Sequence, residues 1–168
     1  MAATGLSARK ATRRVVLAVL AAALAAASPA VAHDRHAGYY YPPPSSTETY
    51  KARALTLSDA NRETRLRFVV GFTQRMLQYP YPPQFVMFAK GEEAEKLIIV
   101  SLRDGHLDTL YRVRALLALL TSEARASDFL NELGVADFFT FFDLAKLLGF
   151  TRITVSDGAN FTHQVVLE

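Results

Sequence analysis

The four histidines are the side chains of this 168-residue sequence best suited to metal binding or proton transfer. Cysteine is absent, so the chain can form no disulfide and can offer no thiolate ligand. Two histidines, His33 and His36, are three positions apart. The other two, His106 and His163, each have acidic or hydroxyl residues nearby in the sequence.

The segment before His33 has the three zones of an export signal. Basic residues at positions 9–14 precede the run Val15 to Ala27, which has 13 apolar residues, and Ala30-Val31-Ala32 supplies small residues for cleavage. A membrane-spanning helix needs about 20 apolar residues. We therefore predict that residues 1–32 are a signal peptide and that the protein is periplasmic or secreted. A retained anchor is the alternative, and the arginine pair at 13–14 resembles a twin-arginine signal.

Cleavage after Ala32 would give His33 a free α-amino group beside its imidazole. These two nitrogens can chelate Cu(II), as in the histidine brace of copper oxygenases, and His36 could add a further ligand. The sequence thus offers His33 and His36 as a candidate metal site, with copper as the cofactor. The alternative is a flexible tail that uses no cofactor.

The two internal histidines could be assigned to Ser-His-Asp catalysis, but sequence proximity does not define a triad. His163 alternates with Phe161 and Val165, which favours a core histidine that is hydrogen-bonded to a neighbour. The sequence has no Gly-x-Ser-x-Gly motif. Its eight glycines form no phosphate-binding loop.

Charge argues against a nucleic-acid partner. Residues 1–32 contain four of the 19 Lys and Arg residues and none of the 16 Asp and Glu, so the remainder has 15 basic against 16 acidic residues, a net charge of −1. The net charge of +3 therefore belongs to the precursor. A nearly neutral chain without a basic run lacks the electrostatic footprint of a nucleic-acid-binding protein.

Residues 33–54 are polar and rich in tyrosine and proline. The three tyrosines Tyr39, Tyr40 and Tyr41 precede three prolines, which favour polyproline II and disfavour helix. We predict a flexible leader. The functional alternative is an adhesive arm whose tyrosines contact a partner.

Residues 55–168 have the patterns of a single α+β domain. A helix is expected from Ser58, with Ser58 or Asp59 as its N-cap, followed by a hairpin of strands at 85–89 and 97–102. A long helix, a short helix capped by Ser127 and an aromatic helix capped by Asp137 come next. A second hairpin turns at Asp157. These elements predict a four-stranded, mainly antiparallel sheet packed against about four helices, with the strand at 97–102 central.

The aromatic helix is apolar around most of its circumference. Such a helix is either buried in its own domain or docked to a partner or a second copy. Phe138, Phe141 and Phe142 are therefore candidate partner-binding residues, and a homodimer is one form that this contact could take.

Several blocks resemble a group of small exported bacterial proteins of unsettled function, namely "HDRHAGYYYP", "QYPYPPQFVMFAKG", "KLIIVSLRDG" and "FTFFDLAKLLGFTRITVSDG". Members of that group are labelled molybdopterin-guanine dinucleotide biosynthesis protein A. This sequence lacks the N-terminal glycine-rich nucleotide loop of that enzyme, so neither the activity nor any site residue is carried over.

These observations lead to two hypotheses of function. The first is a non-enzymatic binding or scaffold domain whose partner is an envelope protein. The second is a small copper-dependent oxidoreductase or metal-binding protein that uses the processed N-terminal histidine. No integral membrane segment is expected after processing.

Overall fold

The structure, a computed structural model, describes residues 41–168. Within that range it contains five strands and four helices. In chain order these are β1 (Ser46–Tyr50), α1 (Arg62–Leu77), β2 (Phe85–Lys90), β3 (Lys96–Ser101), α2 (Leu110–Arg125), α3 (Asp128–Glu132), α4 (Phe141–Leu147), β4 (Arg152–Ser156) and β5 (Thr162–Leu167).

The strands form one mixed sheet in the order β1-β5-β4-β3-β2. The α+β class is therefore confirmed, but the predicted four-stranded, mainly antiparallel sheet is wrong in two respects. A fifth strand is present, and the β3–β4 and β1–β5 pairs are parallel. Only the two hairpin pairs, β2–β3 and β4–β5, are antiparallel. The helices between β3 and β4 return the chain to the same end of the sheet, which makes that pair parallel.

The additional strand, β1, lies inside the segment that the sequence analysis assigns to a flexible leader. Ser46 pairs with His163 and Tyr50 with Leu167, so β1 forms an edge of the sheet beside β5. Backbone bonds continue the pairing on both sides, since Ser45 N donates to Thr162 O at 2.8 Å. The sequence of β1 is polar because only alternate side chains turn toward the protein interior.

The two hairpins form where the sequence predicts them. In the β4–β5 turn, one carboxylate oxygen of Asp157 accepts backbone N–H groups of three following residues at 2.8, 2.9 and 2.9 Å. Gly158 has a φ of +80°, which glycine adopts without strain. Asp157 is therefore a structural residue of this turn.

The core joins one face of the sheet to the helices. Residues at matching register positions, such as Ile99 on β3 and Val155 on β4, are fully buried in it. Ile98, on the opposite face of β3, is also buried. Side chains on both faces of β3 are thus buried. The strand predicted to be central is an interior strand, but the middle strand of the five is β4.

Two predicted helix starts differ from those in the structure. Asn61, not Ser58 or Asp59, caps α1, and its side chain accepts Thr64 N at 2.9 Å. Thr140, not Asp137, caps α4. Both observed caps lie closer to the first helical residue, where a side-chain oxygen reaches the free N–H groups. The predicted cap of α3 by Ser127 is confirmed.

One buried arginine links the N-terminal half of α1 to the rest of the domain by hydrogen bonds. Arg65 Nε donates to Glu93 O at 2.8 Å, and Nη1 reaches Leu148 O at 3.3 Å and Gly149 O at 3.4 Å. The last two carbonyls follow α4, where a positive charge is also favoured by the helix dipole. No helix in the described part of the chain is long and apolar enough to cross a membrane.

Candidate functional site

The described residues form an apolar groove of about 510 Å³ at the protein surface. It lies between the C-terminal half of α1, one face of α2 and the loop that joins α1 to β2. We call it the α1–α2 groove. Six residues that supply much of its apolar lining are Phe72, Met76, Tyr79, Tyr81, Leu116 and Leu119.

The local sequence explains why this groove remains open. The segment Tyr79 to Pro83 contains three prolines, which cannot continue α1 and which hold the connecting loop in an extended form. Helix α1 packs mainly against β2, and α2 packs against α4, so the facing sides of α1 and α2 are not closed against each other. Apolar side chains consequently reach solvent, with Tyr81 76% and Leu119 54% exposed.

A second, smaller cavity of about 350 Å³ lies on the other side of α1. It is bounded by α1, α3 and α4, and we call it the α1–α3 cleft. Phe72 and Arg75 line both the groove and the cleft. The C-terminal half of α1 therefore lies between two apolar depressions, and its side chains line both of them.

Arginine side chains mark the polar borders of these two depressions. Arg112, in the groove, forms an ion pair of 2.8 Å with Asp108. Arg67, in the cleft, forms one of 2.7 Å with Glu63. The side chain of Arg75 makes no hydrogen bond or ion pair with any residue in the range 41–168.

A different polar cluster surrounds His163 at the β1–β5 edge. Its ring is 1% exposed, and Nδ1 lies 2.7 Å from Ser46 Oγ. Its Nε2 is 3.2 Å from Glu48 Oε1, close enough for an ion pair when the ring is protonated, yet Nε2 is buried without a hydrogen bond. Glu48 also approaches Arg114 at 3.4 Å.

This cluster is a structural element of the sheet. His163 is buried and hydrogen-bonded, as its position in the alternating pattern predicts. Its serine neighbour is Ser46 on the facing strand, whereas Ser156 bonds to Phe161 O at 2.8 Å on the other face of the sheet. Neither the groove nor the cleft reaches Ser46 or His163.

The other internal histidine belongs to the groove. His106 is half-buried in the lining, but Asp108 pairs with Arg112 instead of with His106. Asp108 and His106 therefore do not form the Asp-His pair that a Ser-His-Asp grouping needs. Within residues 41–168, no three His, Asp or Glu side chains come together in a way that could hold a metal ion.

Of the candidate metal-binding histidines and partner-binding tyrosines, only Tyr41 is described by the structure. His33, His36, Tyr39 and Tyr40 lie outside the described residues. Tyr41 is buried.

The three candidate phenylalanines are also placed differently from one another. Phe141 is in the core, and the ring of Phe142 packs on that of Tyr50 with centroids 4.6 Å apart. Phe138, at 64% exposure, is the member of the three that presents its ring to solvent.

Sequence reasoning missed the residues that line the groove. The apolar residues of α1 recur at three- and four-residue spacing, and this spacing predicts one core-facing side that includes Val69, Val70 and Leu77. Of these three residues, only Val69 is buried. A local signal was present in Tyr79 and Tyr81, two aromatic residues within a proline-rich connection. Their association with α2 depends on the tertiary arrangement.

No protein-family model, curated protein or solved structure matches this chain. Its function must therefore be argued from the geometry of the described residues.

Proposed function

We propose that the protein is a non-catalytic binding domain that takes up an apolar segment of a partner protein in the α1–α2 groove. The observation that carries this proposal is the open groove itself, with exposed tyrosine and leucine side chains on its walls. Tyrosine combines a large apolar surface with a polar tip, and it is enriched at protein interfaces.

The shape of the groove favours a protein segment over an enclosed small molecule. A pocket for a drug-sized ligand typically surrounds 70–90% of the ligand's surface. Here Tyr81 and Leu119 remain largely accessible at the mouth. An occupant would contact the walls with one face and leave the other face outside, as a segment of a larger protein does.

The composition of the lining supports binding without catalysis. The lining residues include no serine, threonine, aspartate or lysine, and the chain contains no cysteine. His106 and Glu123, the histidine and the acidic residue of the lining, lie before α2 and in its last turn respectively. A nucleophile and a base within hydrogen-bond reach, the usual basis of covalent catalysis, are not combined in this lining.

The predicted export signal indicates the compartment in which the partner would be bound. An exported domain would meet its partner in the periplasm or outside the cell, so we propose an envelope or secreted protein as the partner. The nearly neutral charge of the chain after residue 32 agrees with a partner that is recognised mainly by apolar contact.

Site-specific photo-crosslinking in the native cell would test the proposal. A photoreactive amino acid at position 81 should form a crosslink to one defined segment of the partner, which mass spectrometry can identify. The same amino acid at position 138, exposed but outside the groove, is the control. Equal crosslinking of the same segment from both positions would contradict the groove as the site.

A synthetic peptide of the crosslinked segment then allows a quantitative comparison. Leu119→Asp should weaken its binding by about tenfold or more, because the substitution removes apolar contact and places a charge in the interface. Leu133→Asp is the matched control, since Leu133 is 49% exposed and lines neither depression. Equal affinities for the two variants would refute the proposal.

A further inference from the structure

We infer that the partner segment is an amphipathic helix that carries an acidic side chain, and that this side chain pairs with Arg75. This inference rests on the proposed binding function and adds the chemistry and the secondary structure of the occupant.

The walls of the groove favour a helical occupant. Its lining on α2 extends from Arg112 to Glu123, and eleven residues at 1.5 Å per residue correspond to about 16 Å, or three helical turns. Helix-in-groove recognition uses apolar anchors at positions i, i+3 or i+4, and i+7, which span about two turns. Recognition by strand addition needs free backbone groups, whereas the backbone of both walls is engaged in helices α1 and α2.

Arg75 is placed where a docked helix would cover it. It lines both the groove and the cleft, so a helix on the exposed flank of α1 would contact its guanidinium. The other two arginines of these linings already have carboxylate partners, Asp108 for Arg112 and Glu63 for Arg67. Arg75 has none among the described residues.

Burial of an unpaired guanidinium is unfavourable, so the occupant must compensate its charge. A carboxylate is the natural complement, because it accepts two parallel N–H bonds from arginine. Glu123 is the one acidic residue of the groove lining, and it lies in the last turn of α2. Among the charged side chains of the lining, Arg75 is the one that favours an acidic position on an apolar helix, at the part of the groove formed by α1.

A display selection against the protein expressed from its full sequence would test this inference. The library would consist of amphipathic helical peptides of about 16 residues with randomised polar positions, long enough to span the groove. We expect enrichment of Asp or Glu at one position relative to the apolar anchors. The selected peptide and its Glu→Gln and Glu→Lys forms would then be titrated against the wild-type protein and its variants.

Arg75→Gln should lower the affinity for the acidic peptide by roughly fivefold, as expected for a partly exposed charge pair. Arg62→Gln is the matched control, since Arg62 is an exposed arginine of the same helix that lines neither depression. The Glu→Lys peptide should bind Arg75→Glu better than it binds the wild-type protein. Such a charge reversal distinguishes direct pairing from a general effect on folding.

The possible failures separate the two proposals. If binding depends on Leu119 but is equal in Arg75→Gln and Arg62→Gln, the groove function survives and the acidic pairing is refuted. If no helical peptide is selected, the helical occupant is refuted. If binding of a selected peptide does not depend on Leu119, both proposals are refuted. Dodecanoate serves as a small-molecule probe. If it binds and no peptide binds, the occupant of the groove is a fatty acid and not a protein segment, and both proposals are refuted. Self-association that excludes the peptide would identify a second copy as the occupant.

Discussion

Asp143→Asn should destabilise the domain by far more than its small change in volume suggests. The carboxylate is fully buried and accepts hydrogen bonds from two elements. Oδ2 lies 2.8 Å from Thr140 N, 2.8 Å from Thr140 Oγ1 and 3.2 Å from Tyr50 OH. Oδ1 accepts Arg53 N at 2.7 Å. Asp143 therefore completes the capping box of α4 and also holds the chain that follows β1.

The magnitude follows from these donors. Asparagine can keep one acceptor oxygen at the Oδ2 position, but its NH₂ group then faces the N–H of Arg53, and two donors cannot bond to each other. The variant loses one hydrogen bond outright, and the remaining bonds lose their ionic character. We expect a loss of about 2 to 4 kcal/mol in the free energy of unfolding.

Urea denaturation followed by circular dichroism would measure this loss. At a typical slope for a small domain, the midpoint should fall by about 1 to 2 M. Asp137→Asn is the matched control, because Asp137 is exposed and has no hydrogen-bond or ion-pair partner among residues 41–168. If the two variants unfold within about 0.5 kcal/mol of each other, the role assigned to Asp143 is wrong.

Two further predictions concern backbone conformation and the buried histidine. Gly149→Ala should destabilise the domain by about 1 to 3 kcal/mol, because Gly149 has a φ of +81° and a Cβ atom would lie 2.5 Å from Arg65 Nη1. Gly71→Ala lies inside α1, where the added carbon would meet no atom within 4 Å apart from its chain neighbours and the nearby helix backbone. It should instead stabilise the domain by about 0.5 to 1 kcal/mol, and thermal melting of both variants checks the two signs. His163→Ala should cost about 1 to 3 kcal/mol because it removes a buried hydrogen bond of 2.7 Å, whereas the same change at the half-buried His106 should cost less. Equal urea midpoints for the two histidine variants would contradict the structural role of His163.

The sequence predicts most elements whose causes are local. The β4–β5 hairpin is recognised because its strands alternate and because Asp157 and Gly158 provide the turn chemistry. The short helix α3 is recognised from its cap at Ser127 and from Gly134, which has a φ of +68°. In each case the determining contacts lie within a few residues of one another.

Features that depend on distant parts of the chain could not be predicted in the same way. Strand β1 is polar and short, and it is ordered by β5 and by Asp143, which are remote in sequence. Arg65 has the pattern of an outward-facing charge, but its carbonyl partners lie in the β2–β3 turn and after α4. The groove likewise forms because α1 and α2 do not pack against each other. This is a property of the tertiary packing, and no local sequence motif predicts it.

The pairing of β1 with β5 also constrains the order of folding. Ser46 and His163, which face each other across this pair, are 117 positions apart. Contacts over such a separation require costly loop closure, and they slow folding relative to local contacts. During synthesis, β1 emerges early and has no neighbouring strand until β5 has been made. Completion of this side of the sheet is therefore a late event, and until then the backbone groups of β1 that face β5 lack their partner strand.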